Sequence, residues 1–248
     1  MIVDKSFVTE KDLKYIENSG YKIHCDDFDF TDIIVNKPWG REYLLFENDD
    51  IAIWILFIKP RSQTSMHCHV FKDTSLISLS GIVICDTLDS KHNLAELDGI
   101  YLGKGVFHQT CNNEEEESIV MEIETPVNKF DLLRLNDDYG RVLDPYEGLE
   151  SYELKHNVTC KDIQKHEFVG EYNNVMMKMG VAKNKDDLLD IYAKNDNSVL
   201  AVLLNRNLWF SSGEKAINVG QLFVLDKEEL EKYFINHNFI YLILNKRV

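Results

Sequence analysis

Two histidines one residue apart, His67 and His69 in Met66-His67-Cys68-His69-Val70, are the side chains of this sequence best placed to do chemistry. In an extended strand, residues i and i+2 project from the same face, so the spacing predicts two imidazoles side by side with Cys68 turned the other way. A third histidine, His108, closes GIYLGKGVFH, where glycines mark a turn leading into a strand that can pair near the first. Neutral imidazole is the commonest protein ligand for Zn, Fe, Ni and Cu ions. Three on facing strands can chelate one ion and leave positions open to water or substrate. His24, His92, His156, His166 and His237 lack such a setting and are read as surface or hydrogen-bonded residues.

The frame that must hold these side chains is β-rich. Thr9-Glu10-Lys11-Asp12 before LKYIENSG has a capping-box start and a stop at Gly20, which predicts one short opening helix. From Tyr43 to Thr125, runs rich in Ile, Val, Leu, Phe and Tyr alternate with turn clusters: REYLLFE, IAIWILFIK, SLISLSGIVICDTL, GIYLG and SIVMEIET. Sequential strands without intervening helices favour an antiparallel sandwich or barrel over an α/β fold. The polar stretch from Pro145 to His166 interrupts the pattern and marks a boundary near 146. Beyond it, NNVMMKMGVAK, SVLAVLLNRNLWF, KAINVGQLFVL and NFIYLILN read as strands, and DDLLDIYAK and DKEELEKYF as short helices.

The strands of the two halves can be laid side by side in the same order, which suggests an internal duplication. The expected organisation is an N-terminal helical arm (1–30), a barrel with the histidine cluster (31–145) and a degenerate second barrel (146–248) that has no histidine at the corresponding place.

With 248 residues the chain can bury a core without disulfides or structural metals. Its five cysteines are odd in number and include no CxxC pair, as expected of free thiols in a reducing cytoplasm. The N-terminus lacks a signal-peptide pattern, and no apolar run reaches the roughly 18 residues of a membrane span. A net charge of −15 repels phosphate backbones, which argues against nucleic acid but leaves room for a small anion held by local Lys and Arg. Exposed barrel edges make a homodimer plausible.

With the flanks of the histidines included, the stretch from Lys37-Pro38-Trp39-Gly40 through PRSQTSMHCH, TSLISLSG and GKGVFHQTCN to DLLRLNDDYGR resembles the cupin superfamily (RmlC-like). Within it, the stretch is most similar to the mannose-6-phosphate isomerase-like sugar-phosphate group. The resemblance implies an all-β antiparallel jelly-roll barrel, with the second half completing a bicupin. It implies a divalent metal (Zn, Fe, Ni or Mn) on His67, His69 and His108, with Asn112 four residues past the last histidine. The family glutamate falls on Thr74, seven residues before Gly81, and its neighbour Asp73 points to the other face of a regular strand. Either a bulge brings Asp73 inward, or three histidines and water suffice, or metal binding has been lost.

An isomerase of this type removes a proton beside a carbonyl and returns it to the neighbouring carbon. His108, Lys72 and Lys104 are candidates for proton transfer. Lys37, Arg61, Arg134 and Arg141 are candidates for phosphate recognition, Asn112 for substrate binding, and Tyr139 for a sugar-stacking or lid surface, whereas Trp39 reads as packing. The expected activity is a sugar-phosphate isomerase or epimerase in carbohydrate or surface-polysaccharide metabolism. The alternatives are a cupin that binds a sugar phosphate or nucleotide sugar without turnover, and an iron-dependent dioxygenase.

Overall fold

The structure is a computed structural model that describes residues 1–23, 28–144, 146–160, 163, 167–194, 199–205, 208–225, 227–234 and 238–246. The first part carries β1 (Val3–Ser6), α1 (Glu10–Ser19), β2 (Ile33–Lys37), β3 (Gly40–Glu47), β4 (Ala52–Ile58), β5 (Ser62–Gln63), β6 (Met66–Cys68), β7 (Asp73–Ser80), β8 (Val83–Thr87), β9 (Lys91–Leu94), β10 (Gly99–Leu102), β11 (His108–Asn112), β12 (Ser118–Thr125), β13 (Leu133–Asn136) and β14 (Tyr152–Leu154). The remainder carries β15 (Phe168–Tyr172), β16 (Val175–Ala182), α2 (Lys185–Lys194), β17 (Val199–Leu203), β18 (Leu208–Phe210), β19 (Lys215–Ile217), β20 (Leu222–Leu225), α3 (Lys227–Lys232), β21 (Tyr233–Phe234) and β22 (Phe239–Lys246).

The chain is all-β with antiparallel sheets and a few short helices, as its strand pattern predicts. One sheet runs β1-β10-β7-β12-β4-β3-β2-β14, and a second, β13-β6-β11-β8-β9 with β5 beside β11, faces it. Only the β1–β10 pairing is parallel among the described residues. The opening helix is capped as expected: the Thr9 side chain accepts from the Asp12 amide, Asp12 accepts in return, and Gly20 ends the helix with φ 63°. Asp12 also accepts the Phe107 amide at 3.0 Å, which ties the helix to the residue preceding His108.

The long sheet is buried on both sides, which explains why IAIWILFIK and SIVMEIET read as nearly continuous apolar runs. Trp54, Leu56, Leu76 and Val120 face the barrel interior together with Val83, Ile100 and Leu102. Ile53, Ile55, Ile77, Met121 and Ile123 face the opposite way and form one core with Val175, Met177, Val202, Leu222, Leu242 and Leu244. The second half thus covers the back of the long sheet, whose β12 carries Glu122 and Glu124. A hydrogen bond between the Tyr43 and Tyr172 hydroxyls (2.8 Å) and another from Ser75 to the Gly220 carbonyl (2.8 Å) cross the same junction. Gly40 is required at the start of β3, because a Cβ there would lie 1.8 Å from the Phe57 carbonyl oxygen.

The second half repeats the strand order of the first. Its sheets run β20-β17-β22-β16-β15 and β21-β18-β19, the strand order of β10-β7-β12-β4-β3 and β11-β8-β9, with α3 inserted between β20 and β21 where the first half has only a turn. The difference lies at the site. Where the first half has β5 and β6, with His67, the second half has α2. The short β21, Tyr233-Phe234, stands in the place of the strand that begins with His108.

Candidate metal centre

The HxH spacing places its residues as predicted: β6 is extended, Cys68 is buried on its own side, and the His67 and His69 rings lie 5.1 Å apart, centroid to centroid. β11 pairs with β6 so that His108 stands directly opposite His67, their rings 4.5 Å apart. His69 and His108 are buried and His67 is partly exposed, so the cluster opens to one side through His67.

Each imidazole is oriented by a backbone carbonyl that accepts from its Nδ1: Ser65 for His67 (2.8 Å), Asp131 for His69 (2.6 Å) and Val106 for His108 (3.0 Å). A carbonyl oxygen only accepts, so each Nδ1 carries the proton and each Nε2 presents a lone pair. Asp131 is itself fixed, its carboxylate accepting the Val70 and Phe71 amides. The His69 and His108 Nε2 atoms are buried and have no hydrogen-bond partner, an arrangement that is costly unless something else uses the lone pairs.

The fourth donor is Glu122 of β12, which the sequence reading did not single out. Its carboxylate and the three imidazoles bring their ligand atoms within 4.8 Å of one another. This resolves the question left by Thr74. Asp73 does not bulge inward: its Oδ1 accepts the Lys104 amide at 3.0 Å on the outer face. Thr74 is buried opposite Glu124, and Leu76 stands opposite Glu122, so the carboxylate comes from the neighbouring strand. Three neutral imidazoles and one carboxylate suit a divalent transition metal. The orphaned Nε2 atoms fit such an ion.

Around these donors the interior is charged. Lys129 lies 3.2 Å from Glu42 and 3.7 Å from both Glu122 and Glu124, with its ammonium 3.8 Å above the Trp54 ring. Lys37 pairs with Glu42 (3.3 Å) and Glu147, and sits over the Tyr146 ring. Arg141 holds Asp137 (2.7 Å) and Glu147 (2.5 Å), and Arg134 reaches the Asp144 carbonyl (2.7 Å). Buried charges of this kind persist only when paired.

Burial lowers His67 well below the usual histidine range and His108 to about 4, so both are neutral near pH 7. Burial alone would raise Glu122, but the Lys129 ammonium beside it outweighs burial and keeps the carboxylate ionised. Burial would likewise depress Lys129, but Glu124, Glu42 and Glu122 hold its ammonium above the normal lysine range.

The structure brings Lys37, Arg134 and Arg141 to the cavity of the histidine cluster, along with Trp39, which also packs in the barrel core. It leaves other expected site residues elsewhere. Lys72 is buried behind Glu124, pairing with it at 2.8 Å, and acts on the cavity only through that carboxylate. Lys104 is exposed on the turn before β11, and Arg61 pairs with Glu115 on the surface. Tyr139 lies outside the cavity against Arg141. Asn112 is fully buried and pins a loop, donating to the Ile58, Lys59 and Glu116 carbonyls. Glu42, Glu122, Glu124, Lys129 and Glu147 are cavity residues that the sequence reading missed. The signal for two of them was present in SIVMEIET, where Glu122 and Glu124 repeat at i, i+2 inside an apolar strand.

Of the remaining histidines, His92 bonds Asp4 and Ser90 on the surface and His156 is exposed. His24, His166 and His237 lie outside the described residues, as does Cys25. Cys68, Cys85 and Cys111 are free thiols among the described residues. Among the described residues, no helix is long and apolar enough to cross a membrane.

No protein-family model matches the sequence. Over 104 residues, 41% of this chain, it is 25% identical to a mannose-1-phosphate guanylyltransferase of Sinorhizobium fredii (strain NBRC 101917 / NGR234), of which it spans only 20%. Solved structures similar to it include cupins. A sugar phosphate isomerase of the cupin superfamily from Silicibacter pomeroyi DSS-3 has 15% identity and a TM-score of 0.30, with 32% of this chain and 52% of that one covered. KdgF from a Halomonas species has 15% identity and a TM-score of 0.36, with 44% and 96% covered. A cupin-2 domain protein from Rhodospirillum rubrum has 11% identity and a TM-score of 0.37, with 44% and 80% covered.

Proposed function

We propose that this chain is a metal-dependent cupin that isomerises or epimerises a phosphorylated sugar in carbohydrate or surface-polysaccharide metabolism, with residues 31–145 bearing the site, Tyr146 and Glu147 closing it, and the remaining residues supporting it. The observation that carries this reading is the convergence of three Nε2 lone pairs, each imidazole fixed by a backbone carbonyl, on the Glu122 carboxylate. A divalent ion held by His67, His69, His108 and Glu122 would supply a Lewis acid beside a substrate carbonyl.

The chain's own residues supply the rest. Glu124 lines the cavity with its Oε1 held by Lys72, while its buried Oε2 has no hydrogen-bond partner. That oxygen is the proton acceptor of this reading: it takes the proton beside the carbonyl and returns it to the adjacent carbon. Lys72 is then a positioning residue and not the acid or base itself. Lys129, kept protonated by its three carboxylates, places a fixed positive charge where the enediolate forms. Lys37, Arg134 and Arg141 give the cavity the cations that a phosphate needs, with the two guanidiniums suited to bidentate contact.

The test is proton exchange. Aldose and ketose 6-phosphates, whose rings open to a free carbonyl, are incubated with the metal-loaded protein in deuterated water and the carbon beside the carbonyl is followed by NMR. Deuterium enters with wild type, and Glu124→Gln slows entry about 10²- to 10⁴-fold, the range of general-base catalysis. A metal-loaded protein that binds these phosphates and exchanges nothing is instead a binding cupin.

A further inference from the structure

The cavity holding the histidine cluster encloses about 50 Å³, room for a few waters. Pockets for small molecules run to roughly 300–1,000 Å³, so a sugar phosphate needs something to leave. What fills the cation-lined end is a carboxylate of the chain itself. Glu147 follows β13 in sequence, has a side chain only 7% exposed, and touches three cations: its Oε1 lies 2.5 Å from Arg141 Nη1 and 3.7 Å from Arg134 Nη2, and its Oε2 accepts from Lys37 Nζ. Of these cations, Lys37 is shared with Glu42 and Arg141 with Asp137.

We propose that Glu147 is a displaceable occupant of an oxyanion subsite formed by Lys37, Arg134 and Arg141, and that the phosphate or carboxylate group of a ligand takes its place. The inference rests on the reading above that the cavity accepts an anionic ligand, and it names what that ligand must exchange with. Withdrawing Glu147 alone leaves Lys37 with Glu42 and Arg141 with Asp137 but takes one negative charge away from three clustered, largely buried cations, an electrostatic cost that keeps the carboxylate in while no anion is present. An anion entering the same three cations removes that penalty, so that displacement and binding are one coupled event. The main chain at Glu147 is held by the Tyr152 hydroxyl (2.7 Å), so the exchange is a swing of the Glu147 side chain toward the solvent that Leu149, 70% exposed, also meets.

The test is calorimetric titration of inorganic phosphate, and separately of acetate, into chelator-treated protein. Glu147→Gln keeps the shape and removes the charge, and is expected to bind phosphate at least about tenfold more tightly than wild type, because the competing state is gone. Glu147→Asp, which keeps the charge on a shorter arm, falls between them. Glu115→Gln removes an equal charge beside Arg61 on the surface and changes affinity less than about twofold, as expected for a screened site. Stronger phosphate than acetate binding assigns the subsite to a phosphoryl group, and the reverse order assigns it to a carboxylate. Unchanged or weaker phosphate binding in Glu147→Gln, or no anion binding by any of the proteins, overturns the proposal. Metal content of the same preparations before chelation separates the two readings: a metal-loaded Glu147→Gln protein without an affinity gain refutes the displacement and leaves the metal centre standing.

Discussion

Lys72 provides a quantitative test of how the interior charges are held. Its side chain is fully buried, with Nζ 2.8 Å from Glu124 Oε1. In Lys72→Met the apolar stem is largely replaced and the ammonium lost, leaving Glu124 buried with only Lys129, 3.7 Å away, to compensate it. Breaking a buried pair from one side costs about 3–5 kcal/mol, and the remaining lysine places this case near the lower end. For a chain of this length about 2 °C of melting temperature accompanies each kcal/mol, so the expected fall is about 6 °C. In Lys72→Met/Glu124→Gln no charge is stranded, and most of that loss is recovered while proton exchange stays abolished. Urea unfolding and calorimetric melting of wild type, the two single variants and the double variant close the cycle. A Lys72→Met protein within about 0.5 kcal/mol of wild type would refute the buried pair and, with it, the positioning of Glu124.

The metal-free protein should lose stability in acid through His108. Its folded pKa, about 4, lies below the unfolded value near 6.5, so the unfolded chain binds the proton first. The contribution is fully present above pH 6.5 and is lost as pH falls toward 4, by about 3 kcal/mol in the metal-free protein, which urea titrations at stepped pH will read. Asn112→Ala should destabilise by about 2–3 kcal/mol in the same assay, since three backbone carbonyls lose their donor and the Glu114 amide its acceptor. Arg61→Ala and Lys104→Ala, both outside the cavity, should change stability by no more than about 0.5 kcal/mol and leave proton exchange at the wild-type rate.

The parts of this molecule legible in the sequence are those governed by local rules. Thr9, Asp12 and Gly20 bracket the first helix because capping is short-range chemistry. The His67–His69 pair could be read because a period of two fixes a face, and the same rule applied to Glu122 and Glu124 would have found the carboxylates. Family resemblance instead drew attention to Thr74, whose place in the ligand set is taken by a residue on the adjacent strand. That exchange depends on the β7–β12 register, which the pairing of Leu76 with Glu122 fixes and spacing along one strand does not. Lys129 and Glu147 sit in polar connecting segments where a charged residue is ordinarily solvated, and only tertiary closure buries them. Arg61 and Lys104 show the converse: a basic residue near a motif has no sequence mark that tells which way it points.

The metal centre is tested most directly by elemental analysis of purified protein, wild type beside His67→Ala/His69→Ala and Glu122→Gln. The geometry predicts about one equivalent of a divalent transition metal in wild type, none in the double histidine variant, and weakened retention in Glu122→Gln, where the anionic ligand of the set is gone. Wild-type protein that takes up no Zn, Fe, Ni or Mn when these are supplied, or equal metal in all three proteins, would contradict the account.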